Sequence, residues 1–357
     1  MTGRELLGLM LQGGPGFCQI AVTNACNAGC RFCSFPGVAP EAWVMADPGR
    51  LFRGLAVLKA RGVGYLCITG GEPLLYPALL PVLGRARDLG VHTLLCTNGW
   101  RLTPASIREL KAAGLQTLIV SIDGPTAAVH DAHRGLPGLT GHIRELLPTM
   151  RRAGLNPVAS VTLSRLITDL GEMLRFLEDL GFRRATFSYP VTRLNSSYLG
   201  FSGHHSVDFT PEELSGWFGR IKALKAAASL QILNPSLALD ELRRRLRGRP
   251  ARFPCLAGYK YWFVDWNLQV FRCHYLGAPL GYLEDFGGMP PIRDGCNACG
   301  IDCYRDPSVC QYLAVSVADS LAALRRGAWL QGLGTLLHPH NFLSLAALLE
   351  GRHWLGD

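Results

Sequence analysis

The chain has 357 residues, of which 48% are hydrophobic and 18% are charged, and this length is sufficient for one large domain with a smaller one beside it. It contains no apolar run of about 18 residues, which excludes a membrane-spanning helix, and no signal peptide, which predicts a cytoplasmic protein. The net charge is +9, and much of the excess comes from arginines between residues 243 and 252. Aromatic residues do not alternate with these arginines as they do in a nucleic-acid groove, which argues against nucleic acid as a partner.

Short β-rich runs alternate with amphipathic segments through the first half of the chain. We predict strands at Cys18–Thr23, Tyr65–Thr69, His92–Thr97, Thr117–Ile122, Pro157–Leu163 and Arg184–Tyr189. We predict helices at Pro48–Arg61, Pro77–Leu89, Pro104–Ala113, Gly141–Ala153 and Asp169–Leu180, and several of them end at a glycine. This alternation predicts an α/β fold with a parallel sheet and helices outside it, whose functional residues follow the C-terminal ends of the strands.

Three cysteines follow the first predicted strand in the spacing C-x3-C-x2-C, namely Cys26, Cys30 and Cys33. Soft thiolate ligands suit iron–sulfur clusters, and three of them can bind three irons of a four-iron cluster. The fourth iron then stays open to a substrate or cofactor. Zinc sites also use closely spaced cysteines, so the triplet by itself leaves both kinds of site open.

Glycines and short polar residues follow the next three strands. The motifs are Thr69-Gly70-Gly71-Glu72-Pro73, then Thr97-Asn98-Gly99, then Ser121-Ile122-Asp123-Gly124-Pro125, followed by His130-Asp131-Ala132-His133-Arg134-Gly135. We interpret His130 and His133 as surface residues and Asp131 with Arg134 as a local ion pair. The cysteines within strands, Cys18, Cys67 and Cys96, are interpreted as buried inert thiols.

Together, these motifs in this order resemble those of the radical SAM superfamily. The resemblance implies a partial (β/α)6 TIM-like barrel in which Cys26, Cys30 and Cys33 bind a [4Fe–4S] cluster. The open iron would be chelated by S-adenosylmethionine. The activity it implies is reductive cleavage of this cofactor to a 5′-deoxyadenosyl radical, which abstracts hydrogen from the substrate or adds to it. It also implies an electron donor such as flavodoxin or ferredoxin.

Contacts to S-adenosylmethionine are implied for residues at the strand ends. They are Phe32, Gly70, Gly71, Glu72, Pro73, Thr97, Asn98, Ser121, Asp123, Thr162 and Ser164. In this assignment Phe32 stacks on adenine, Gly70 and Gly71 let the backbone approach the methionine end, and Glu72 accepts from its ammonium group. An ordinary structural role at a strand end is the alternative for the polar residues of this set, and core packing is the alternative for Phe32.

Six further cysteines lie near the C-terminus: Cys255, Cys273, Cys296, Cys299, Cys303 and Cys310. We predict a β-hairpin with arms at Tyr261–Val264 and Gln269–Arg272. The pattern resembles the twitch or SPASM extension of radical SAM enzymes, which implies one auxiliary [4Fe–4S] cluster held by Cys255, Cys273, Cys296 and Cys299. Cys303 or Cys310 could replace one of these four ligands. The alternative to a single auxiliary cluster is a pair of them.

One position departs from that extension. The glycine five residues before its second cysteine is Leu268 here, and we expect the neighbouring Asn267 to accommodate the turn. The pattern also resembles the C-terminus of adenosylhopane synthases, which favours an apolar or lipid-like substrate.

The order of predicted elements and cysteine groups along the chain predicts four segments. They are the radical SAM core at 1–190, an irregular and helical connector at 191–250, a small α+β auxiliary-cluster domain at 251–311 and a helical tail at 312–357. Tail helices are expected at Tyr312–Leu324 and Leu333–Leu349, packed on the protein, with peripheral membrane contact as the alternative. The arginine run between residues 243 and 252 indicates a solvated helix face, or a surface for an acidic substrate, redox partner or anionic lipid.

The substrate is left open among small molecules, lipid-like molecules and peptides, as is the role of S-adenosylmethionine as cofactor or co-substrate. Residues after the sixth strand are candidates for substrate contact, with a surface loop as the alternative: Tyr189, Arg193, Tyr198, His204 and His205. Two other functions are kept as alternatives, a non-catalytic iron–sulfur electron carrier and a zinc-binding interaction protein.

Overall fold

A computed structural model describes residues 8, 10–191, 194–201 and 203–351. The described residues form one sheet whose strands are β1 (Gly16–Ala21), β2 (Val63–Thr69), β3 (His92–Thr97), β4 (Thr117–Ser121), β5 (Asn156–Thr162), β6 (Arg184–Ser188), β7 (Gln231–Ile232), β8 (Tyr261–Val264), β9 (Gln269–Phe271) and β10 (Pro279–Tyr282). The order across the sheet is β10-β9-β8-β1-β2-β3-β4-β5-β6-β7.

The helices alternate with the strands in the first half of the chain and gather at its C-terminal end. They are α1 (Pro48–Ala60), α2 (Leu79–Asp88), α3 (Pro104–Ala113), α4 (Ala127–Arg134), α5 (Leu139–Arg152), α6 (Leu170–Leu180), α7 (Pro211–Leu224), α8 (Ser236–Leu246), α9 (Asp302–Arg325), α10 (Trp329–Leu336) and α11 (Pro339–Glu350). None of the described helices is long and apolar enough to cross a membrane.

The predicted α/β fold with a parallel-sheet core is confirmed. All six predicted strands are present, and β1 to β7 pair with their neighbours in parallel. Helices that end where predicted do so for a local reason, since Gly114 and Gly181 take left-handed φ values of 110° and 102° at the ends of α3 and α6. Parallel pairing brings the C-terminal ends of these strands to one edge of the sheet.

The second cysteine group is joined to the same sheet. Strand β8 pairs in parallel with β1, and Phe17 lies opposite Tyr261. Strands β9 and β10 continue the sheet in antiparallel fashion, and the predicted hairpin is confirmed. Side chains alternate between the faces, so that Cys18 packs in the core on the helix side whereas Phe17 and Tyr261 pack on the opposite face, which we call the inner face.

The C-terminal helices differ from their predicted bounds. Helix α9 begins at Asp302, not at Tyr312, and includes Pro307. Its first half is buried on several sides, so its sequence lacks the apolar–polar period by which a surface helix is recognised. The predicted helix Leu333–Leu349 is instead two helices, because Pro339 disfavours helical backbone at the residue before it and starts α11.

Candidate active site

The first three cysteines lie on one loop that follows β1. The thiol of Cys33 donates to the carbonyl of Leu199 at 3.6 Å, and its N–H donates to the carbonyl of Cys30 at 3.1 Å. Burial raises the pKa of Cys26 to about 11 and that of Cys33 to about 12, and the nearby Cys30 adds to both shifts. The three thiols therefore form one group, shielded from water and close enough to influence one another.

Two glycines let the loop after β2 approach this cysteine loop. A Cβ atom on Gly70 would lie 2.3 Å from the carbonyl oxygen of Thr23, and one on Gly71 would lie 2.1 Å from that of Ala25. The N–H of Gly71 donates to the Thr23 carbonyl at 2.9 Å. The close approach observed here is to the cysteine loop, so these glycines help to fix the backbone immediately before Cys26.

Glu72 links the ends of β2 and β3. Its fully buried carboxylate accepts from the Leu74 N–H at 3.0 Å, the Thr97 hydroxyl at 2.7 Å and the Asn98 N–H at 2.8 Å. Burial raises the pKa of Glu72, whereas these hydrogen bonds lower it in part. Pro73 is buried and follows Glu72 in the same turn.

Asn98 connects this polar network back to the cysteines. Its side-chain amide donates to the side-chain carbonyl of Asn27 at 2.8 Å, and its own carbonyl oxygen accepts from the Trp100 N–H at 2.9 Å. Asn27 is the residue after Cys26. The structure thus brings together the cysteine loop and the predicted site residues at the ends of β2 and β3.

Asp123, at the end of β4, forms a fully buried ion pair with Arg134 of α4. Its other oxygen accepts from the Thr162 N–H at 3.1 Å. Burial by itself would raise the pKa of Asp123, but the positive charge of Arg134 outweighs it and the pKa is lowered. The pKa of Arg134 is raised by Asp123 and also by Cys30 and its two neighbouring thiols, although burial lowers it, so this guanidinium lies beside the cysteine group.

The predictions for the residues of α4 are wrong in two respects. Asp131 does not pair with Arg134 but accepts from the Thr140 hydroxyl at 2.6 Å and its N–H at 2.9 Å. His130 and His133 are buried and not at the surface. Both histidines and Arg134 lie on one side of a single helical turn, and their i, i+3 and i+4 spacing was the signal that could have indicated an inward-facing polar cluster.

Phe32 is buried within the cysteine loop and packs against His133, with ring centroids 4.5 Å apart. Its predicted stacking on adenine stays a prediction. Ser121 and Thr162 are half-buried at the ends of β4 and β5, and Ser164 is fully buried just beyond β5.

Several buried polar atoms at these strand ends have no hydrogen-bond partner in the described part of the chain. They are the Ser164 hydroxyl, Nε of Arg134 and Nε2 of both His130 and His133. Buried polar groups of this kind usually have partners, and a missing ligand is one explanation for a group without one. Three clustered thiols, a buried cation and unpartnered polar atoms fit an iron–sulfur cluster with a polar cofactor beside it.

The second cysteine group lies mainly on the inner face of the sheet. Cys273 and Cys299 belong to one buried cluster with Tyr261 and Tyr304, and the half-buried Cys255 and Cys303 pack against that cluster. Burial raises the pKa of Cys299 to about 12, and the neighbouring Cys255 and Cys273 raise it further. Cys310 lies apart, since its thiol donates to the carbonyl of Ala347 on α11 at 3.7 Å.

Cys296 lies on the loop before α9. Its carbonyl accepts from the N–H of Cys255 at 3.2 Å, and its own N–H donates to Asp294 at 3.1 Å. Asp294 pairs with Arg272, the residue before Cys273.

Within the described residues, no three Cys, His, Asp or Glu side chains are grouped so as to hold a single metal ion.

The turn of the β8–β9 hairpin differs from the prediction. Leu268, and not Asn267, takes the left-handed backbone, with φ of 62°, and it is the single non-glycine residue with positive φ among the described residues. Its side chain is only 1% exposed. The carboxylate of Asp265 accepts from the N–H groups of Asn267 and Gln269, both at 2.9 Å, and holds the turn in place.

The segment after β6 passes between both cysteine groups. The Ser34 N–H donates to the carbonyl of Leu199 at 2.9 Å, and the Ser196 N–H donates to that of His274 at 3.3 Å. Tyr198 lies between these two anchors. Among the other predicted substrate contacts, Tyr189 is fully buried and bonded to Asn234 and Asp306, His204 and His205 lie on the loop that precedes α7, and Arg193 lies outside the described residues.

Comparisons with known proteins agree with this arrangement. Residues 20–188 match the model of the radical SAM superfamily. The AdoMet-dependent heme synthase of Nitratidesulfovibrio vulgaris is 30% identical over 304 residues, which cover 77% of this chain and 78% of that protein. The protein of the same name from Methanosarcina barkeri is 27% identical over 278 residues, which cover 74% of this chain and 78% of that protein.

Two solved structures share the fold at low sequence identity. Native anSMEcpe with bound AdoMet superposes with a TM-score of 0.57 at 14% identity, covering 88% of this chain and 99% of that one. Streptococcus suis SuiB bound to S-adenosylmethionine superposes with a TM-score of 0.59 at 16% identity, covering 78% and 66%. The match to the superfamily model runs from the end of β1 through β6 and includes the cysteine loop and the strand ends that hold it. Together with a 30% identical relative of which this chain covers 78%, the match shows that the chain belongs to the radical SAM superfamily.

Proposed function

We propose that this enzyme uses two iron–sulfur clusters, one at Cys26, Cys30 and Cys33 and one auxiliary cluster at the C-terminal cysteines. The observation that carries the proposal is the presence of two separate groups of buried and half-buried cysteines beside one continuous sheet. When bound at a three-cysteine cluster, S-adenosylmethionine supplies reductive one-electron cleavage chemistry, and 5′-deoxyadenosine is its measurable product.

The residues around the first group hold it in place and balance its charge. Arg134 is the buried cation next to the three thiols, and Asp123 keeps it there. A cation beside thiolates lowers the cost of burying their negative charge. Glu72 and Asn98 fix the neighbouring strand ends, while the unpartnered Ser164 hydroxyl and histidine nitrogens are available to a polar cofactor.

For the auxiliary cluster we propose Cys255, Cys273, Cys299 and Cys303 as ligands. Their packing in and against one buried side-chain cluster supports this set. Cys296 remains the competing ligand, because its backbone adjoins Cys255 and hydrogen-bonds Asp294, which pairs with Arg272, the residue before Cys273. The packing of Cys310 against Ala347 of α11 supports a structural role for that residue.

We propose a small molecule as the substrate, bound on the inner face near Tyr198. The relatives named AdoMet-dependent heme synthases match about three quarters of this chain, a share that extends beyond the core matched by the superfamily model, and these names favour a small-molecule substrate. A peptide is the alternative, in view of the structure of SuiB bound to precursor peptide SuiA, and a lipid-like molecule is a further one.

The test of the first cluster is an anaerobic turnover assay. Reconstituted protein, S-adenosylmethionine and dithionite, which stands in for a flavodoxin or ferredoxin donor, should yield 5′-deoxyadenosine. The triple variant C26A/C30A/C33A should yield none, whereas C310S should remain active. If the clusters are intact and reducible but no 5′-deoxyadenosine forms, the result would support an electron carrier. A colourless protein with bound zinc would support a zinc-binding interaction protein.

The test of the auxiliary cluster is an iron count in the C26A/C30A/C33A background. We expect about four irons per chain, a value that falls sharply when C303S is added and does not change when C310S is added. Loss of iron in C296S with retention in C303S would move the fourth ligand to Cys296. About eight irons per chain would indicate two auxiliary clusters.

A further inference from the structure

Helices α10 and α11 present a large apolar face to solvent. Leu330 is 90% exposed, Phe342 is 69% exposed and Leu337 is 66% exposed. The remaining large side chains of this face are those of Trp329, Leu333, Leu336, Leu343, Leu345 and Leu349. Exposed apolar residues scattered singly are ordinary on a protein surface, but a contiguous set of this size marks an interaction site.

The polarity of α11 is the reverse of that expected for a water-exposed helix. Its buried residues are the small or polar Asn341, Ser344 and Ala347. The hydroxyl of Ser344 donates to the carbonyl of Val309 at 2.7 Å, and the Asn341 amide donates to the carbonyl of Leu336 at 2.8 Å. Polar groups thus bond α11 to its neighbours, while its large apolar side chains are left on the outside.

Helix α10 shows the same reversal. Gly332 is the buried residue of this helix, and its carbonyl accepts from the Ser320 hydroxyl of α9 at 2.7 Å. Helix α6, by contrast, buries Met173, Leu174 and Leu177 and has charged residues on its other side. A helix that buries its small residues and exposes its leucines is typical of one whose outer face contacts an apolar phase.

The end of a basic segment packs on α11. The ring of Phe253 contacts that of His340 on α11, with centroids 5.3 Å apart, and Arg252 lies close enough to lower the pKa of His340, for which burial is the main cause. This contact joins the C-terminal end of the arginine run, residues 243–252, to α11. Arg247 and Arg249 of that run are exposed, as are Arg325 and Arg326 immediately before α10.

Acidic side chains are scarce at this face. Glu350 is the one Asp or Glu between residues 325 and 351, and its carboxylate is bonded to Lys225 at 2.5 Å and to the Ser236 hydroxyl at 2.7 Å. Apart from the paired Glu350, the exposed charges of this stretch are therefore positive, namely those of Arg325 and Arg326. A second copy of the chain would offer no acidic surface of its own from this region to match them.

We propose that α10, α11 and the adjoining arginines dock the protein on the surface of a bilayer that contains anionic lipids. The leucines, Trp329 and Phe342 enter the interface between headgroups and acyl chains, and Arg247, Arg249, Arg325 and Arg326 contact lipid phosphates. Apolar burial and electrostatic attraction are the two contributions that together give stable peripheral binding.

Flotation with lipid vesicles tests the proposal on the full, cluster-containing protein. We expect binding to vesicles of phosphatidylcholine with about one quarter phosphatidylglycerol, and at least about tenfold weaker binding to phosphatidylcholine alone. High salt should reduce binding to the first vesicles to the level of the second. The variant L330S/L337S/F342S should lose binding to both vesicles, and R247E/R249E should lose the preference for phosphatidylglycerol. Because these side chains are exposed, both variants should keep the unfolding temperature of the parent.

Two matched controls separate this face from the general surface. L80S replaces an exposed leucine on α2, and R85E reverses an exposed arginine on the same helix; neither should change vesicle binding. Absence of binding to phosphatidylglycerol vesicles by the folded parent would overturn the proposal. So would a stable dimer in sedimentation velocity that L330S/L337S/F342S converts to monomer, since the face would then be an interface between copies.

Discussion

The phenol ring of Tyr198 lies flat on the imidazole of His274, with ring centroids 4.0 Å apart and an angle of 7° between the planes. His274 follows Cys273, whereas Tyr198 belongs to the segment that hydrogen-bonds the loop of Cys33. The pKa of Tyr198 is raised far above its usual value by burial first, and then by Cys33 and Cys303. This stacked pair therefore occupies the space between the two groups of cysteines.

We predict that Tyr198→Ala raises the reduction potential of the auxiliary cluster by tens of millivolts, whereas Tyr198→Phe leaves it nearly unchanged. Loss of the ring admits water beside the cysteine ligands, and water favours the more highly charged reduced cluster. Redox titration followed by electron paramagnetic resonance measures the shift. Equal potentials in all three proteins would show that the stack does not shield the cluster.

We predict that Arg134→Gln lowers the free energy of unfolding by about 3–5 kcal/mol, because it leaves the Asp123 carboxylate buried and unpaired. The matched control is Arg87→Gln, since Arg87 pairs with Asp88 at the surface and should contribute at most about 1 kcal/mol. Denaturant unfolding of both variants gives the comparison. A similar small loss in the two would mean that the Asp123 site relaxes to admit water.

We predict that Gly71→Ala displaces the cysteine loop and removes most of the iron at Cys26, Cys30 and Cys33. The added Cβ would lie 2.1 Å from the Ala25 carbonyl, which is backbone and cannot move aside alone. Gly84→Ala is the control, because a Cβ at that position of α2 meets nothing within 4 Å. Iron analysis in the C303S background isolates the first cluster. Full iron in Gly71→Ala would contradict the proposed contact.

We predict that Leu268→Gly is at least as stable as Leu268→Ala, although both are less stable than the parent. Either change removes a buried side chain, at about 2–5 kcal/mol, but only glycine relieves the left-handed backbone, worth about 1 kcal/mol. At Leu95, buried in β3 with ordinary backbone, the alanine variant should be the more stable one. Chemical unfolding of the four variants tests both orders.

We predict that the stability of Asp306→Asn relative to the parent protein increases as the pH rises. Burial, with the nearby Asp302, raises the pKa of Asp306 to about 8. A carboxyl whose folded pKa is raised contributes stability below its ordinary pKa, and this contribution is lost as the pH rises through about 8. Asparagine cannot ionise and keeps a side chain that Asn234 and Tyr189 can contact.

The measurement is the unfolding temperature of parent and variant between pH 5 and pH 9, with the exposed Asp179→Asn as control. The difference between Asp306→Asn and the parent should grow by several degrees over this range, since about 1 kcal/mol shifts a protein of this size by a few degrees. The difference for Asp179→Asn should stay flat. A flat difference for Asp306→Asn would place the folded pKa of Asp306 at or below the lower end of this range.

Features that depend on neighbours in the chain were predictable from the sequence. The period of apolar residues and the glycines at helix ends located the strands β1 to β6 and the helices between them except α4. The spacing of Cys26, Cys30 and Cys33 placed three thiols on one loop. The prediction failed where that local signal was absent, as at the start of α9, where burial on several sides and Pro307 hide the helical period.

Contacts between distant residues were decided only by the tertiary structure. Arg134 could have paired with Asp131 in the same helix, but the sheet places Asp123 beside it, and a fully buried carboxylate requires a partner more than an exposed one does. The grouping of Cys303 with Cys255, and of Cys310 with α11, depends on how α9 packs on the inner face.

The apolar tail shows the same division. Its composition determined that it forms helices, because leucine and alanine favour them, but a leucine-rich helix can bury its large side chains or its small ones. Packing against α9 and α10 selected the small and polar side, through hydrogen bonds that Ser344 donates to α9 and Asn341 donates to α10. The sequence thus determined the elements and the chemistry of the cysteine loop, while long-range packing decided which side chains meet and which face the solvent.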